Sequence, residues 1–194
     1  MNFLAHVYLS GENTQLAIGN LIADQVKGES YREYPIEIQK GIVFHRAIDD
    51  FTDRNPIFRS CTSLLFPHYR HYSRVLIDMY FDHYLASQWT NYHSKSLNDF
   101  SLSFYKQLNA YSHLLPLSIQ KFCTALIHYN WFEQYQSLEG LESILSQMEK
   151  RTAFESNLAA SITQLKENYT YFGDQFSAFM EELMSFTKTK VTIL

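Results

Sequence analysis

Six glycines and four prolines serve a chain of 194 residues, too few for the frequent turns an all-β fold requires. Long helices joined by few loops suit that scarcity, so an all-α fold is expected. The length is enough for one domain with a proper core and cramps a second. Residues 1–194 therefore read as a single-domain helical bundle. Hydrophobic residues at 46% against 19% charged place the chain among globular proteins rather than disordered ones. A formal net charge of −4 provides no global positive field, which argues against nonspecific nucleic-acid binding. No apolar run approaches the roughly 18 residues of a membrane span, and the first residues lack the pattern of a signal peptide. Cys61 and Cys123 are the only cysteines. Two buried thiols in a reducing compartment is a simpler reading than a disulfide, and a cytoplasmic location is expected.

Apolar periodicity predicts helices over 14–26, 36–52, 59–66, 72–89, 97–112, 117–135, 138–149 and 153–187. Asn13 or Thr14 suits the first as a cap and Gly28 as a stop. Asn55-Pro56 separates the second from the third, because a residue before proline avoids the α region. Pro67 marks the end of the third, and an interruption of the last is expected near Gly173.

Charged residues sit in unexpected places within these apolar helices. In VLIDMYFDHYL (75–85), Asp78 and Asp82 are spaced i, i+4 and project from one face. Their burial without a partner is costly, so a cation or arginines must compensate. In GIVFHRAIDDFTD (41–53), His45 and Asp49 repeat that spacing. The pair either shares a metal ion or forms a hydrogen bond that orients the imidazole. Asp24 falls near the end of the first predicted helix, where the helix dipole disfavours a carboxylate; a nearby cation is one reason to find it there. His6 follows an apolar start and can reach the same centre, although a structural histidine is the plainer reading. Each pair alone is weak. Three helices offering carboxylate or imidazole groups from apolar faces is a stronger pattern. Mixed Asp/His sets suit Mn²⁺, Mg²⁺ or Fe²⁺ better than structural Zn²⁺, and such a centre hydrolyses an ester by polarising it and acidifying water.

The segments MNFLAHVYLS, GNLIADQVKG (19–28), GIVFHRAIDDFTD (41–53) and LIDMYFDHYLASQW (76–89) together resemble the acyl carrier protein phosphodiesterase family. The resemblance covers most of the chain in order and is densest in the first ninety residues. It implies an all-helical, Mn²⁺-dependent, distorted relative of the HD phosphohydrolases. The implied reaction removes 4′-phosphopantetheine from holo-acyl carrier protein and leaves a free serine. The adjacent His-Asp order of HD enzymes is absent here, and Asp82-His83 stands in the opposite order. By position, the resemblance implies Asp24, His45, Asp49, Asp78 and Asp82 as metal ligands. It offers His83 as a ligand, as a group behind a ligand, or as the proton donor to the leaving serine oxygen. Arg46 becomes the candidate to hold the phosphate, with a surface ion pair to Asp50 as the alternative.

From Arg54 to Arg74 the chain carries Arg54, Arg59, Arg70 and Arg74 and no carboxylate. Acyl carrier proteins are strongly acidic, so this segment is expected to steer the protein substrate; a basic stretch that merely balances the acidic C-terminal half is the alternative. Two other functions compete with the phosphodiesterase: an HD-like hydrolase of nucleotides or other small phosphoesters, and a noncatalytic carrier-protein-binding module. No phosphate-cradling Gly-rich loop supports the nucleotide reading.

Overall fold

Asp82 begins the fold. Its carboxylate accepts hydrogen bonds from the backbone N–H groups of Asn2 (3.2 Å), Leu4 (2.8 Å) and Ala5 (3.3 Å), the exposed amides at the start of α1 (Phe3–Leu9). So short a helix does not sustain itself in water; this one is anchored at its positive end by a buried carboxyl group, whose pKa burial pushes up to about 7 against the pull of these amides. The protein, seen in a computed structural model, is described for residues 2–150, 152 and 156–193. Among the described residues there is no strand, in agreement with the all-α expectation.

Helix α2 (Thr14–Ile22) is capped by Asn13, whose Oδ1 accepts from Leu16 N–H at 3.1 Å. It lies directly against α3 (Ile36–Arg54). Gly19 and Gly41 make that approach possible. A Cβ on Gly41 would sit 2.8 Å from the Gly19 Cα and 2.9 Å from the Asn20 nitrogen, so the two backbones touch where any side chain would hold them apart. Asn55 then caps α4 (Pro56–Tyr69), accepting from Ile57 N–H at 2.9 Å, with Pro56 in the first turn where its missing N–H costs nothing.

Helix α5 (Ser73–Ser87) is the central element. Leu76, Ile77, Met79, Tyr80, Phe81, Tyr84 and Leu85 are all buried, surrounded by α1, α4 and the long α11 (Tyr169–Ile193). Phe172, Phe176, Phe179, Met180 and Leu183 of α11 complete this core, and Phe81 packs on Phe179 with ring centroids 5.2 Å apart. Helices α6 (Leu97–Ala110), α7 (Leu117–His128), α8 (Trp131–Gln134) and α9 (Leu138–Glu149) follow, and α10 (Ile162–Glu167) leads into α11. Cys61 and Cys123 are buried free thiols. No helix among the described residues is long and apolar enough to cross a membrane.

Several boundaries differ from the sequence expectation. Helix α1 was not expected, because its stability comes from Asp82 and not from its own residues. The first predicted helix ends at Ile22 and tightens into a 3₁₀ turn, Ala23–Gln25. Helix α4 starts earlier than Arg59 and runs through Pro67, which lies in the last turn and leaves the ladder one N–H short just before the helix ends. The 117–135 helix divides at Asn130, which adopts φ +48°. The last predicted helix begins on residues 153–155, outside the described residues. Its described part breaks at Asn168 instead of Gly173, since Gly173 lies inside α11 beside the Tyr84 ring.

Candidate metal centre

Two helices and two turns deliver their polar side chains to a single cavity of about 390 Å³. Its lining comprises Asp24 from the 3₁₀ turn after α2, His45, Asp49, Thr52 and Asp53 from α3, His71 from the 3₁₀ turn Arg70–Tyr72, and Arg74, Val75 and Asp78 at the start of α5. The i, i+4 spacing that predicted a shared face for His45 and Asp49 is realised: His45 Nε2 lies 3.0 Å from Asp49 Oδ2 and 3.2 Å from Asp24 Oδ1. His6 of α1 stacks on His45, with ring centroids 4.0 Å apart, and its Nε2 is 3.5 Å from the other oxygen of Asp49. His6, His45 and Asp49 each offer one ligand atom within 4.8 Å of the others.

Asn20, buried between the histidines, sets the state of both rings. Its Nδ2 donates to the His6 carbonyl (2.7 Å) and to Ser10 Oγ (3.0 Å), so its Oδ1 is the acceptor that meets His6 Nδ1 at 2.7 Å. His6 must therefore carry its proton on Nδ1. His45 Nδ1 meets the backbone carbonyl of the same Asn20 at 2.8 Å, and a carbonyl only accepts, so His45 Nδ1 is protonated too. Both Nε2 atoms thus face the carboxylates, the tautomer and orientation of a metal-ligating histidine held from behind. The contact of Gly19 with Gly41 explains how one residue of α2 serves two rings: it brings α2 close enough for Asn20 to reach α3.

The charges are unbalanced without a cation. Burial alone would lower the His45 pKa, but the hydrogen bonds its Nε2 donates to Asp24 and Asp49 outweigh it and hold it at about 9. His6 is pushed down to about 4 by burial and by His45 beside it, so the stacked pair carries one proton charge between them. Asp49, despite the opposing effect of burial, is held far below the usual carboxylate range by both histidines. Asp24 is lowered by its hydrogen bond to His45. Asp78 is raised, first by burial and also by the negative charge of Asp49. A neutral His6 Nε2 lone pair facing an ionised Asp49 is a repulsive contact that a divalent cation would convert into two bonds. The donor chemistry, two imidazole nitrogens with carboxylates around them, fits a divalent transition metal.

Not every residue singled out by sequence joins this cavity. Asp82 follows Asp78 by one turn, yet its carboxylate is committed to the amides of α1. His83, about 140° round the helix from Asp78, is buried elsewhere, donating from Nδ1 to the Tyr135 carbonyl (2.8 Å) and accepting from the Tyr169 hydroxyl (2.9 Å). Arg46 neither lines the cavity nor pairs with Asp50. Its Nη2 donates to the carbonyls of Val26 and Gly28 and its guanidinium covers the Tyr31 ring, which ties down the loop after α2. Of the arginine segment, Arg54 pairs with Asp50 at 2.7 Å, Arg59 donates to the Asp53 carbonyl, Arg70 lies over Phe66, and Arg74 pairs with Asp53 at the cavity. The residue the sequence reading under-weighted is His6. A single histidine in an apolar helix carries no spacing signal; its role depends on Asn20, contributed by another helix.

The family model described as acyl carrier protein phosphodiesterase matches residues 1–183. A protein of that name from Serratia proteamaculans is 30% identical over 191 residues, covering 98% of this chain and 99% of the relative. Another from Yersinia pestis is 31% identical over 185 residues, covering 95% and 96%. No solved structure matches. With a family model spanning nearly the whole length and relatives aligned from end to end, the chain belongs to the acyl carrier protein phosphodiesterase family.

Proposed function

We propose that this protein is a metal-dependent phosphodiesterase that hydrolyses the phosphodiester of holo-acyl carrier protein, releasing 4′-phosphopantetheine and the apo-protein. The names of its relatives support the substrate. The observation that carries the chemistry is the pair of Nε2 atoms that Asn20 turns towards Asp49 and Asp24. His6, His45 and Asp49, with Asp24 and Asp78 around them, would hold Mn²⁺, or Mg²⁺ or Fe²⁺. When bound, the ion supplies a Lewis acid that polarises the phosphoryl group and acidifies water. The chain's own contribution is to fix the two rings in one tautomer, to place carboxylates where they accept a proton from an attacking water, and to bury α1 and α5 beneath the site so that its geometry does not relax. The decisive test is the intact mass of holo-acyl carrier protein after incubation with and without Mn²⁺. Loss of the phosphopantetheine mass only with metal is expected, and an unchanged mass overturns the reading.

Metal binding is expected to strengthen with pH. Below pH about 9 His45 is protonated in the metal-free protein, and the ion must displace that proton from Nε2. Affinity should rise by about tenfold per pH unit towards pH 9 and then level off, with proton release. The metal-free fold is expected to follow the opposite trend. The His45 contribution to stability is complete below its unfolded value of 6.5 and is lost as pH rises through about 9. Calorimetric titration in two buffers of different ionisation enthalpy measures the release, and a pH-independent affinity would remove His45 from the ligand set.

Arg59 and Arg70 are exposed on α4 and the turn after it. Among the described residues neither has a carboxylate partner, whereas Arg54 and Arg74 do. These two are therefore the arginines best placed to attract an acidic protein substrate. Arg59→Glu with Arg70→Glu is expected to raise KM for holo-acyl carrier protein by about tenfold at low salt, less at high salt, with kcat little changed. An unaltered KM would show that the segment only balances charge.

A further inference from the structure

We infer that Arg74 is the residue that grips the phosphodiester, exchanging Asp53 for it; the assignment rests on the phosphodiesterase reading. Arg74 stands one turn before Asp78 on α5, and Asp53 one turn after Asp49 on α3. Both line the cavity. The ion pair between Arg74 Nη2 and Asp53 Oδ1 joins the two helices, with both side chains 51% exposed. It lies about one turn away from the acidic groups nearest the histidines.

Charge and chemistry both select this pair. An anionic phosphodiester must enter a cavity lined by Asp24, Asp49, Asp53 and Asp78. A single dication does not balance those carboxylates, so a second cation is needed. Among the described lining residues Arg74 is the one whose side chain is permanently charged, while Arg46 is occupied with the carbonyls of Val26 and Gly28. The present partner of Arg74 also resembles a substrate. A guanidinium binds carboxylate and phosphate oxygens with the same planar fork, and an ion pair half open to water is easily exchanged. Asp53 then acts as an internal competitor that occupies Arg74 until a phosphodiester arrives.

That competition predicts opposite effects from the two halves of one ion pair, which a purely structural clamp would not produce. Inorganic phosphate, titrated into the Mn²⁺-loaded protein by calorimetry and by thermal shift, is the probe. Arg74→Met is expected to raise the phosphate Kd by about tenfold or more, and Arg74→Lys by less, because the point charge survives and the fork does not. Asp53→Asn is expected to lower the Kd several-fold. Mn²⁺ content should stay at the wild-type level in all three, a readout independent of turnover. The proposal is overturned if Arg74→Met leaves the Kd unchanged, if Arg74→Met and Asp53→Asn weaken binding alike, or if the wild type does not bind phosphate. If the phosphate pattern holds while holo-acyl carrier protein is not cleaved, the substrate reading fails and the anion grip stands. If cleavage is seen without the pattern, the grip alone fails.

Discussion

Gly41→Ala is expected to cost the fold about 3 kcal/mol or more, and to remove the metal site with it. In most helices this substitution helps, by about 1 kcal/mol, because alanine has the better helix propensity. Here the new methyl would meet the Gly19 Cα at 2.8 Å and the Asn20 nitrogen at 2.9 Å. These are backbone atoms of α2 and cannot rotate aside, so the helices must separate. Asn20 then loses its hold on His45 Nδ1, at present 2.8 Å away. For a chain of this size, 3 kcal/mol corresponds to a Tm lower by roughly 6–12 °C, measurable by calorimetry alongside Mn²⁺ content. Gly173→Ala is the control. Its methyl would meet ring carbons of Tyr84, the nearest at 3.2 Å, a tight contact with one side chain rather than with the backbone of another helix, so a much smaller loss is expected. An equal Tm for wild type and Gly41→Ala would show that the α2–α3 seam is looser than described and that the site does not depend on it.

The parts of the site that were legible in the sequence are those set by position within one helix. His45 and Asp49 share a face because four residues nearly complete a turn, and that relation survives any tertiary arrangement. Asp24 was legible as an electrostatic misfit, a carboxylate at a helix C-terminus, and His45 is what it faces. Asp82 shows the limit of the argument. Its spacing from Asp78 also placed it on the shared face, and the demand for a compensating positive charge was sound. The compensation is the N-terminus of α1, whose amides present the same kind of positive potential as a cation, and sequence spacing does not distinguish the two. His83 and Arg46 went the same way: each has its polar atoms committed to partners from distant parts of the chain, Tyr135 and Tyr169 for one and the loop carbonyls for the other. His6 is the reverse case, inconspicuous in sequence and central in space. The helical class followed from the scarcity of glycine and proline, but the break at Asn130 depended on a left-handed backbone that nothing in the neighbouring residues demands.

His45→Ala is expected to abolish stoichiometric Mn²⁺ binding and to lower hydrolysis of holo-acyl carrier protein by about a thousandfold or more, the several kcal/mol that a metal supplies to such a reaction. The ring is the hub of the cluster: it contacts Asp24, Asp49, Asn20 and His6. Its removal leaves Asp24 without its hydrogen-bonded partner and Asp49 with only the more distant His6. The fold should survive, with a Tm lowered near neutral pH where the charged ring contributes to stability, because the vacated space opens on the cavity and not into the α5–α11 core. Asp82→Ala should do the opposite. It leaves the amides of Asn2, Leu4 and Ala5 without their acceptor, at about 1–3 kcal/mol for each buried donor, so stability falls steeply, and of the ligand residues only His6, carried by α1, is loosened. Measuring Tm and bound Mn²⁺ for both variants separates the roles, with metal lost from a protein that still folds for His45→Ala and a more depressed Tm with metal still bound by the folded fraction for Asp82→Ala. If His45→Ala kept its Mn²⁺ while Asp82→Ala lost it without loss of stability, the centre would have to be rebuilt around the buried aspartate of α5, and the arrangement of His6, Asn20 and His45 would be packing alone.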